Sequence, residues 1–177
     1  MADVMFAGIG GQGVLTAGKM LIQIAAEEGK NVCWTSEYSA EMRGGSALCR
    51  VVVEDGEETI GSPYPDRLDI LCCMTEHAYD TYCDQLRDGG LVVVNTTLFG
   101  ERQYPDNVKV LGIDTQAVTE SVGNARGANL ALLGAMAKGC DLIDVSNEEL
   151  LLGCLNKKFK GNYECFKGGY DRAIKIK

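Results

Sequence analysis

Apolar and polar positions alternate along this chain in two periods, and the periods take turns. Val4 to Ala7 is a short continuous apolar run, the pattern of a buried parallel strand. From Val14 to about Glu28 the period becomes helical. Val14, Ala17, Leu21 and Ala25 share one face, Leu15, Ile22 and Ala26 a neighbouring one, and Gly29 ends the helix. Asn31 to Thr35 is a second short strand, and Ala47 to Glu54 alternates as a third. Asp55-Gly56 predicts a hairpin turn, with Glu58 to Ile60 returning antiparallel. Ser62 to Asp66, with two prolines, is a rigid loop.

The second half repeats the alternation. Arg67 to Met74 is a buried strand, and Thr75 is placed to cap the helix that Ala78, Tyr79, Tyr82, Cys83 and Leu86 mark out before Gly89-Gly90. Leu91 to Val94 and Val108 to Ile113 are strands. Ala128 to Ala137 is a helix apolar nearly all round, whose Ala131, Gly134 and Ala135 permit close packing. Ser146 and Glu149 form a capping box for Asn147 to Phe159. Tyr163, Phe166, Tyr170 and Ile174 recur at helical spacing, against the helix-weakening Gly168-Gly169. Strands alternating with helices predict a single domain over residues 1–177 with an α/β fold. Its three layers hold a mostly parallel, Rossmann-like sheet with an inserted β-hairpin.

In such a sheet, ligands meet the carboxyl ends of the strands. Those ends are Gly8 to Gly13, Ser36 to Ser46, Thr75 to His77, Asn95 to Leu98 and Asp114 to Gln116. The first of them is the most informative. Gly8, Gly10 and Gly13 fall at G-x-G-x-x-G spacing between a strand and a helix, with Gly11 and Gln12 between them. The glycines allow a tight turn, close approach of an anion and close helix packing, and the helix start offers free N–H groups. We take Gly8, Gly10, Gly11, Gln12 and Gly13 as an anion- or ligand-binding loop; the plainer alternative is a purely structural turn. A dinucleotide site wants an acid at the end of the second strand, where this chain has Thr35-Ser36 and a late Glu37. Gly13 to Lys19 also matches G-x-x-x-x-G-K, but Met20 follows where magnesium needs a hydroxyl, and the segment falls inside the first helix.

The net charge of −8 argues against nucleic acid as the main partner. Lys157, Lys158, Lys160, Lys167, Arg172, Lys175 and Lys177 crowd the C-terminal end and read most simply as a solvated face. Eight cysteines include no C-x-x-C pair and no neighbouring His, so no metal centre is expected on this chain. Cys72-Cys73 is either a redox pair or, more simply, two thiols on opposite faces of one strand. The thiols fit a reducing compartment. No apolar window approaches a membrane span, and Met1-Ala2-Asp3 leads straight into a strand, so the expectation is a cytoplasmic protein.

Two further sites are weighed. His77 stands alone at a strand's carboxyl end with no acid or nucleophile tied to it, and ordinary duty at a helix start is the simpler reading. Glu41-Met42-Arg43-Gly44-Gly45-Ser46 sets a guanidinium fork beside bare backbone. Glu41, Arg43, Gly44 and Gly45 are therefore candidates to contact an anionic ligand or a partner subunit; the alternative is a surface turn with an idle Arg43.

Gly8-Ile9-Gly10-Gly11-Gln12-Gly13-Val14, Tyr38 to Ala47 with Glu41-Met42-Arg43-Gly44-Gly45, Ile60 to Pro63, the Asp69 strand and Leu86 to Val94 together resemble the gamma subunits of 2-oxoacid:ferredoxin oxidoreductases. The 2-oxoglutarate and 2-ketoisovalerate branch is the most similar, and a related chain occurs in indolepyruvate oxidoreductase. The resemblance runs from Val4 to about Ala137. It implies a multi-subunit enzyme that decarboxylates a 2-oxoacid on thiamine diphosphate, passes electrons through [4Fe-4S] clusters to ferredoxin and yields an acyl-CoA. With no thiamine segment and no cluster cysteines here, it implies that thiamine diphosphate, magnesium and the clusters sit on alpha, beta and delta (ferredoxin-like) subunits. This chain then has no catalytic residue of its own and is inactive alone. A self-contained dinucleotide-binding oxidoreductase is the competing class.

Overall fold

A computed structural model describes residues 1–38, 45–56, 59–62, 64, 66–156 and 159–177. Its centre is a seven-stranded sheet in the order β2-β3-β1-β4-β5-β6-β7. The strands are β1 (Ala2–Ile9), β2 (Asn31–Tyr38), β3 (Ser46–Glu54), β4 (Leu68–Cys73), β5 (Leu86–Asn95), β6 (Lys109–Ile113) and β7 (Ile174–Lys175). β1, β4, β5 and β6 pair in parallel, while β3 and β7 run against their neighbours. The chain leaves β1 for one side of the sheet and enters β4 on the other. The crevice between their carboxyl ends is the topological switch point.

Alternation divides the core in two. Val4, Phe6, Ile70, Cys72 and Val93 face one cluster, and Met5, Ala7, Leu71, Cys73, Val92 and Val94 face the other. Cys72 and Cys73 thus point to opposite faces, both fully buried, and burial pushes both thiols upward. On the first face lie α1 (Val14–Glu27) and α4 (Ala128–Gly139), with α3 (Thr115–Val122), α5 (Glu148–Leu155) and α6 (Asn162–Arg172) packed on them. α2 (Glu76–Tyr82) lies on the second. No helix among the described residues is long and apolar enough to cross a membrane.

The hairpin is real but sits elsewhere. β2 and β3 form it, from Asn31↔Glu54 to Tyr38↔Ala47, and Thr59 and Ile60 belong to no strand. The reason is an edge count. β3 is paired with β1 on its other side, from Ala2↔Val53 to Ile9↔Ser46, so no edge remains for a strand after Asp55-Gly56. Two helix boundaries also move, and one helix is added. α2 stops at Tyr82, a 3₁₀ turn follows over Cys83–Gln85, and β5 begins at Leu86 and runs through Gly89-Gly90. α5 ends at Leu155 rather than Phe159. α3 is a helix that the hydrophobic pattern does not announce.

Glycine explains two remaining points. α6 forms despite Gly168-Gly169 because it crosses α4 with backbones in contact: a Cβ on Gly169 would lie 2.0 Å from the Ala131 carbonyl oxygen, and one on Gly134 1.9 Å from that of Phe166. Gly18, the last glycine of the G-x-x-x-x-G-K match, is a packing residue inside α1. A Cβ there would stand 2.4 Å from the Cys49 sulfur, and the neighbouring Lys19 Nζ lies 5.2 Å from the Trp34 ring centre. That segment is helix, not a phosphate loop.

Candidate functional site

The glycine loop leaves β1 as a tight, internally bonded turn. Gly11 and Gly13 have φ of 97° and 74°, where a side chain is strained. Gln12 folds back, its Oε1 accepting the Ile9 N–H at 2.9 Å. Gly8 makes room for it, since a Cβ there would stand 2.5 Å from that oxygen and 2.9 Å from the Met74 Cβ. The Gly10 N–H donates to the Gly45 carbonyl at 2.9 Å, and Ile9 pairs with Ser46. The hairpin therefore brings the end of the second sequence motif against the first. Gly45 is at this junction; Glu41, Arg43 and Gly44 lie outside the described residues.

Those bonds consume part of the loop's donor set. Among the described residues, the amides of Gly11, Gly13, Val14 and Leu15 have no acceptor, because hydrogen bonding in α1 starts with Thr16 and Ala17 on the Gly13 carbonyl. α4 begins in the same way, with Gly127 as its N-cap and no side chain capping it. The two helix starts are joined by Asn129, whose Nδ2 donates to the Gly13 carbonyl oxygen at 3.0 Å. Gly13 cannot carry a side chain partly for this reason: a Cβ would stand 2.9 Å from that Nδ2.

A cavity of about 550 Å³ opens at this point, over the carboxyl ends of β1, β4, β5 and β6. Its floor is polar and largely uncharged. Asn95, at the end of β5 and 2% exposed, accepts through Oδ1 from the Thr115 hydroxyl at 2.8 Å and the Thr97 N–H at 3.2 Å. The Thr97 hydroxyl donates to Asp114 at 2.8 Å and accepts from the Gln116 N–H at 3.1 Å. Asp114 caps α3 by accepting the Ala117 N–H, and that backbone bond, with the Thr97 hydroxyl, holds its carboxyl below the usual range. The one charged residue of the described lining is Arg126, whose exposed guanidinium has no partner among the described residues. Leu98 and Phe159 stand at the rim, 51% and 54% exposed.

A cation, two uncapped helix starts and neutral amides make this edge receptive to a negatively charged ligand. The loop glycines contribute shape and close approach, while Gly10 and Gln12 are engaged inside the protein. His77 lies on the exposed side of α2, away from the cavity lining. The glycine spacing pointed to β1. Asn95 and Thr115 fell within the strand ends named from the alternation, without a role of their own, and Arg126 and Asn129 went unmarked; two of the four carried a signal. Asn95 is the polar stop to an apolar strand, and Asn129 is a buried amide at the head of the most apolar helix.

Comparisons with known proteins bear on the family and the fold. The family model described as pyruvate ferredoxin/flavodoxin oxidoreductase matches residues 3–172. The 2-oxoglutarate synthase subunit KorC of Methanocaldococcus jannaschii is 33% identical, with 98% of this chain and 95% of that protein covered. The ketoisovalerate oxidoreductase subunit VorA of Methanothermobacter marburgensis is 35% identical over 97% of this chain, which spans 36% of that longer protein. The crystal structure of a keto/oxoacid ferredoxin oxidoreductase gamma subunit from Geobacter sulfurreducens PCA superposes with a TM-score of 0.80 at 26% identity, covering 97% of both chains. On the family match over nearly its whole length, the chain belongs to the pyruvate ferredoxin/flavodoxin oxidoreductase family.

Proposed function

We propose that this chain is the gamma subunit of a multi-subunit 2-oxoacid:ferredoxin oxidoreductase that converts 2-oxoglutarate or 2-ketoisovalerate to an acyl-CoA. The observation that carries this is the match to KorC along nearly the full length of both proteins. The chemistry supports a division of labour. Decarboxylating a 2-oxoacid needs an electron sink, which thiamine diphosphate supplies on a partner subunit, and the electrons need iron–sulfur clusters to reach ferredoxin. Among the described residues no group of three His, Cys, Asp or Glu side chains is arranged to hold a metal ion. Cys49, Cys72 and Cys73 are buried in strands, where they pack as small apolar side chains.

The part left to this chain is to bind and orient. In this reading the crevice beside the glycine loop receives the phosphate-bearing part of coenzyme A, on Arg126 and the amides at the starts of α1 and α4. The 39–45 connection, with Glu41, Arg43 and Gly44, would lie against the alpha or beta subunit. The dinucleotide reading is weaker, because β3 lies between β1 and β2, so that Glu37, at the end of β2, stands two strands away from the glycine loop.

The test is reconstitution. The chain is co-expressed with candidate alpha, beta and delta subunits. Their association is followed by size exclusion, and CoA-dependent reduction of ferredoxin is measured with each 2-oxoacid. Activity is expected in the complex and absent from the chain alone. Turnover by the purified chain with added thiamine diphosphate, magnesium, CoA and acceptor would overturn the proposal, as would failure of the chain to join the complex.

A further inference from the structure

We propose that the β7 edge of the sheet, with the apolar groove lined by Ile176 and Tyr104, is the surface on which this chain docks one particular partner: the subunit that corresponds to the part of VorA lying outside the match. This rests on the reading of the chain as a subunit of a 2-oxoacid oxidoreductase complex and adds to it a surface and the partner it takes.

Additional chain leaves this fold at one end only. VorA carries the fold within a longer protein, of which this chain spans 36%, and the match takes in 97% of the chain. The extra length of VorA therefore joins close to one or both termini. Both termini lie at the amino end of the sheet. The Met1 amine is 3.1 Å from Glu54, at the end of β3 that meets the start of β1. The Lys177 carbonyl accepts the Val110 N–H at 3.0 Å, near the start of β6, and its Nζ pairs with Asp106. A tethered unit is held within reach of its junction. Whichever terminus is extended, the extra part of VorA departs from this end and not from the crevice.

The β7 edge is the apolar surface beside that exit. Ile174 is 61% and Ile176 42% exposed, both on the segment that leads to Lys177. Ile176 walls a groove that runs through two cavities of about 440 and 410 Å³, which share Arg102, Tyr104 and Ile176. The groove is preformed. Arg102 stacks over Tyr79, 4.4 Å from the ring centre, and donates to Asp80 at 2.6 Å, while the Gly100 N–H donates to Glu76 at 2.8 Å. These contacts pin the connection between β5 and β6 to α2, so a partner has little ordering to bring about. They also argue against a small charged ligand, since Arg102 is matched by Asp80 and Lys177 by Asp106. What the edge offers is apolar area beside the exposed Lys175. A fitting partner presents apolar side chains to Ile174 and Ile176 and a carboxylate to Lys175. Contact is through side chains, because an edge strand of two residues with a lysine on it resists strand addition.

The test uses the complex reconstituted from the full chain and its partner subunits, among them the one homologous to the remainder of VorA. Ile174→Asp alters an exposed side chain and should melt with the wild-type protein. It should weaken association with that subunit about tenfold or more, as loss of an interface anchor does. Leu152→Asp, at an apolar residue 38% exposed on α5 over the other face of the sheet, should associate as wild type does. In the wild-type complex, an amine-reactive reagent should cross-link Lys175 to the same subunit, a result that needs no variant to fold. Normal association of Ile174→Asp would overturn the proposal, as would equal weakening by Leu152→Asp, or Lys175 cross-links to a different subunit or to none. If the wild-type chain joins no complex at all, the subunit reading falls with it.

Discussion

The two ends of the sheet are built on opposite principles. At the amino end the charges answer one another. Arg87 reaches Asp69 at 2.9 Å and Asp3 at 3.5 Å, and the Asp3 N–H is taken by Asp69 at 2.8 Å. Lys30 holds Glu28 at 3.0 Å and the Leu142 carbonyl at 2.6 Å, while Glu28 accepts the Asp144 N–H. At the carboxyl end the cavity is lined by one cation without a partner among the described residues and by two helix starts without side-chain caps. A parallel sheet with α1 and α4 on one face produces this contrast, because it sends both helix N-termini to the carboxyl end. The lesson is that charge density does not mark the site. The charged end pairs most of its charges, although Asp3 Oδ1 stays buried without a hydrogen-bond partner, and the quieter end has an exposed cation and free helix amides to offer.

The largest test of the contrast is Arg87→Ala. It leaves Asp3, 3% exposed, beside Asp69 with no cation between them. Removing one partner of a buried pair costs several kcal/mol, and Arg87 is itself half exposed, so about 2–3 kcal/mol is expected. For a chain of this size that is about 5–10 °C in melting temperature by calorimetry. A melt within a degree of wild type would show that the amino end is solvated rather than self-paired.

Gly13→Ala probes the other end through backbone instead of charge. With φ at 74°, an alanine costs about 1–2 kcal/mol, and its Cβ would press on the Asn129 amide. Gly11→Ala, with φ 97° and no atom within 4 Å of a Cβ, carries the strain alone. Urea unfolding of the two variants should separate them by about 1 kcal/mol, and only Gly13→Ala should also disturb phosphate binding.

The pH dependence of stability should have opposite signs for Asp3 and Asp114. Burial, then the neighbouring Asp69 carboxylate, raises the Asp3 carboxyl above 3.8. The folded chain then binds this proton more tightly than the unfolded chain. Stability from this group is present below 3.8 and falls as pH rises through the raised value. Asp114 is the reverse: its lowered carboxyl contributes stability above 3.8 that is lost as pH falls through the folded value. Denaturation of Asp3→Asn across this range should lose the decline above 3.8, and Asp114→Asn the fall below it. Unchanged profiles would mean that neither carboxylate feels its surroundings.

The contrast also explains what could be read from the sequence. The glycine spacing located one wall of the site, because a turn out of a strand has its own residue chemistry. The α/β alternation located the edge. The partner of the hairpin could not be read, since which edge of β3 is free depends on its pairing with β1, a strand far earlier in the chain that meets it from Ala2↔Val53 to Ile9↔Ser46. α3 was missed because it caps with Asp114 and then shows Thr115, Gln116, Thr119 and Glu120 among few apolar positions. Asn129 looked like an ordinary helix residue until α1 and α4 were placed side by side. Its meaning is a contact across 116 positions, which no local pattern encodes.

The smallest effect on stability is expected at the site's own cation. Arg126 is exposed, its side chain bonds to nothing among the described residues, and it is anchored through its backbone N–H, which donates to Asn124 Oδ1. Surface substitutions of this kind change stability by less than about 0.5 kcal/mol, so Arg126→Ala should melt with the wild-type protein. Its effect should appear instead in binding. A guanidinium on a phosphate dianion is a charge-assisted contact worth about 1.5–3 kcal/mol, and losing it should weaken glycerol 3-phosphate about ten- to a hundredfold. The loss should shrink as salt rises, because an exposed charge is screened over about 10 Å at 0.1 M. Arg126→Lys should recover part of the affinity, since it restores the charge without the two-pronged geometry. Titrations of the three proteins at low and high salt, beside their melts, decide the matter. A variant that unfolds early but binds phosphate normally would make Arg126 a structural residue and would move the anion site away from the starts of α1 and α4.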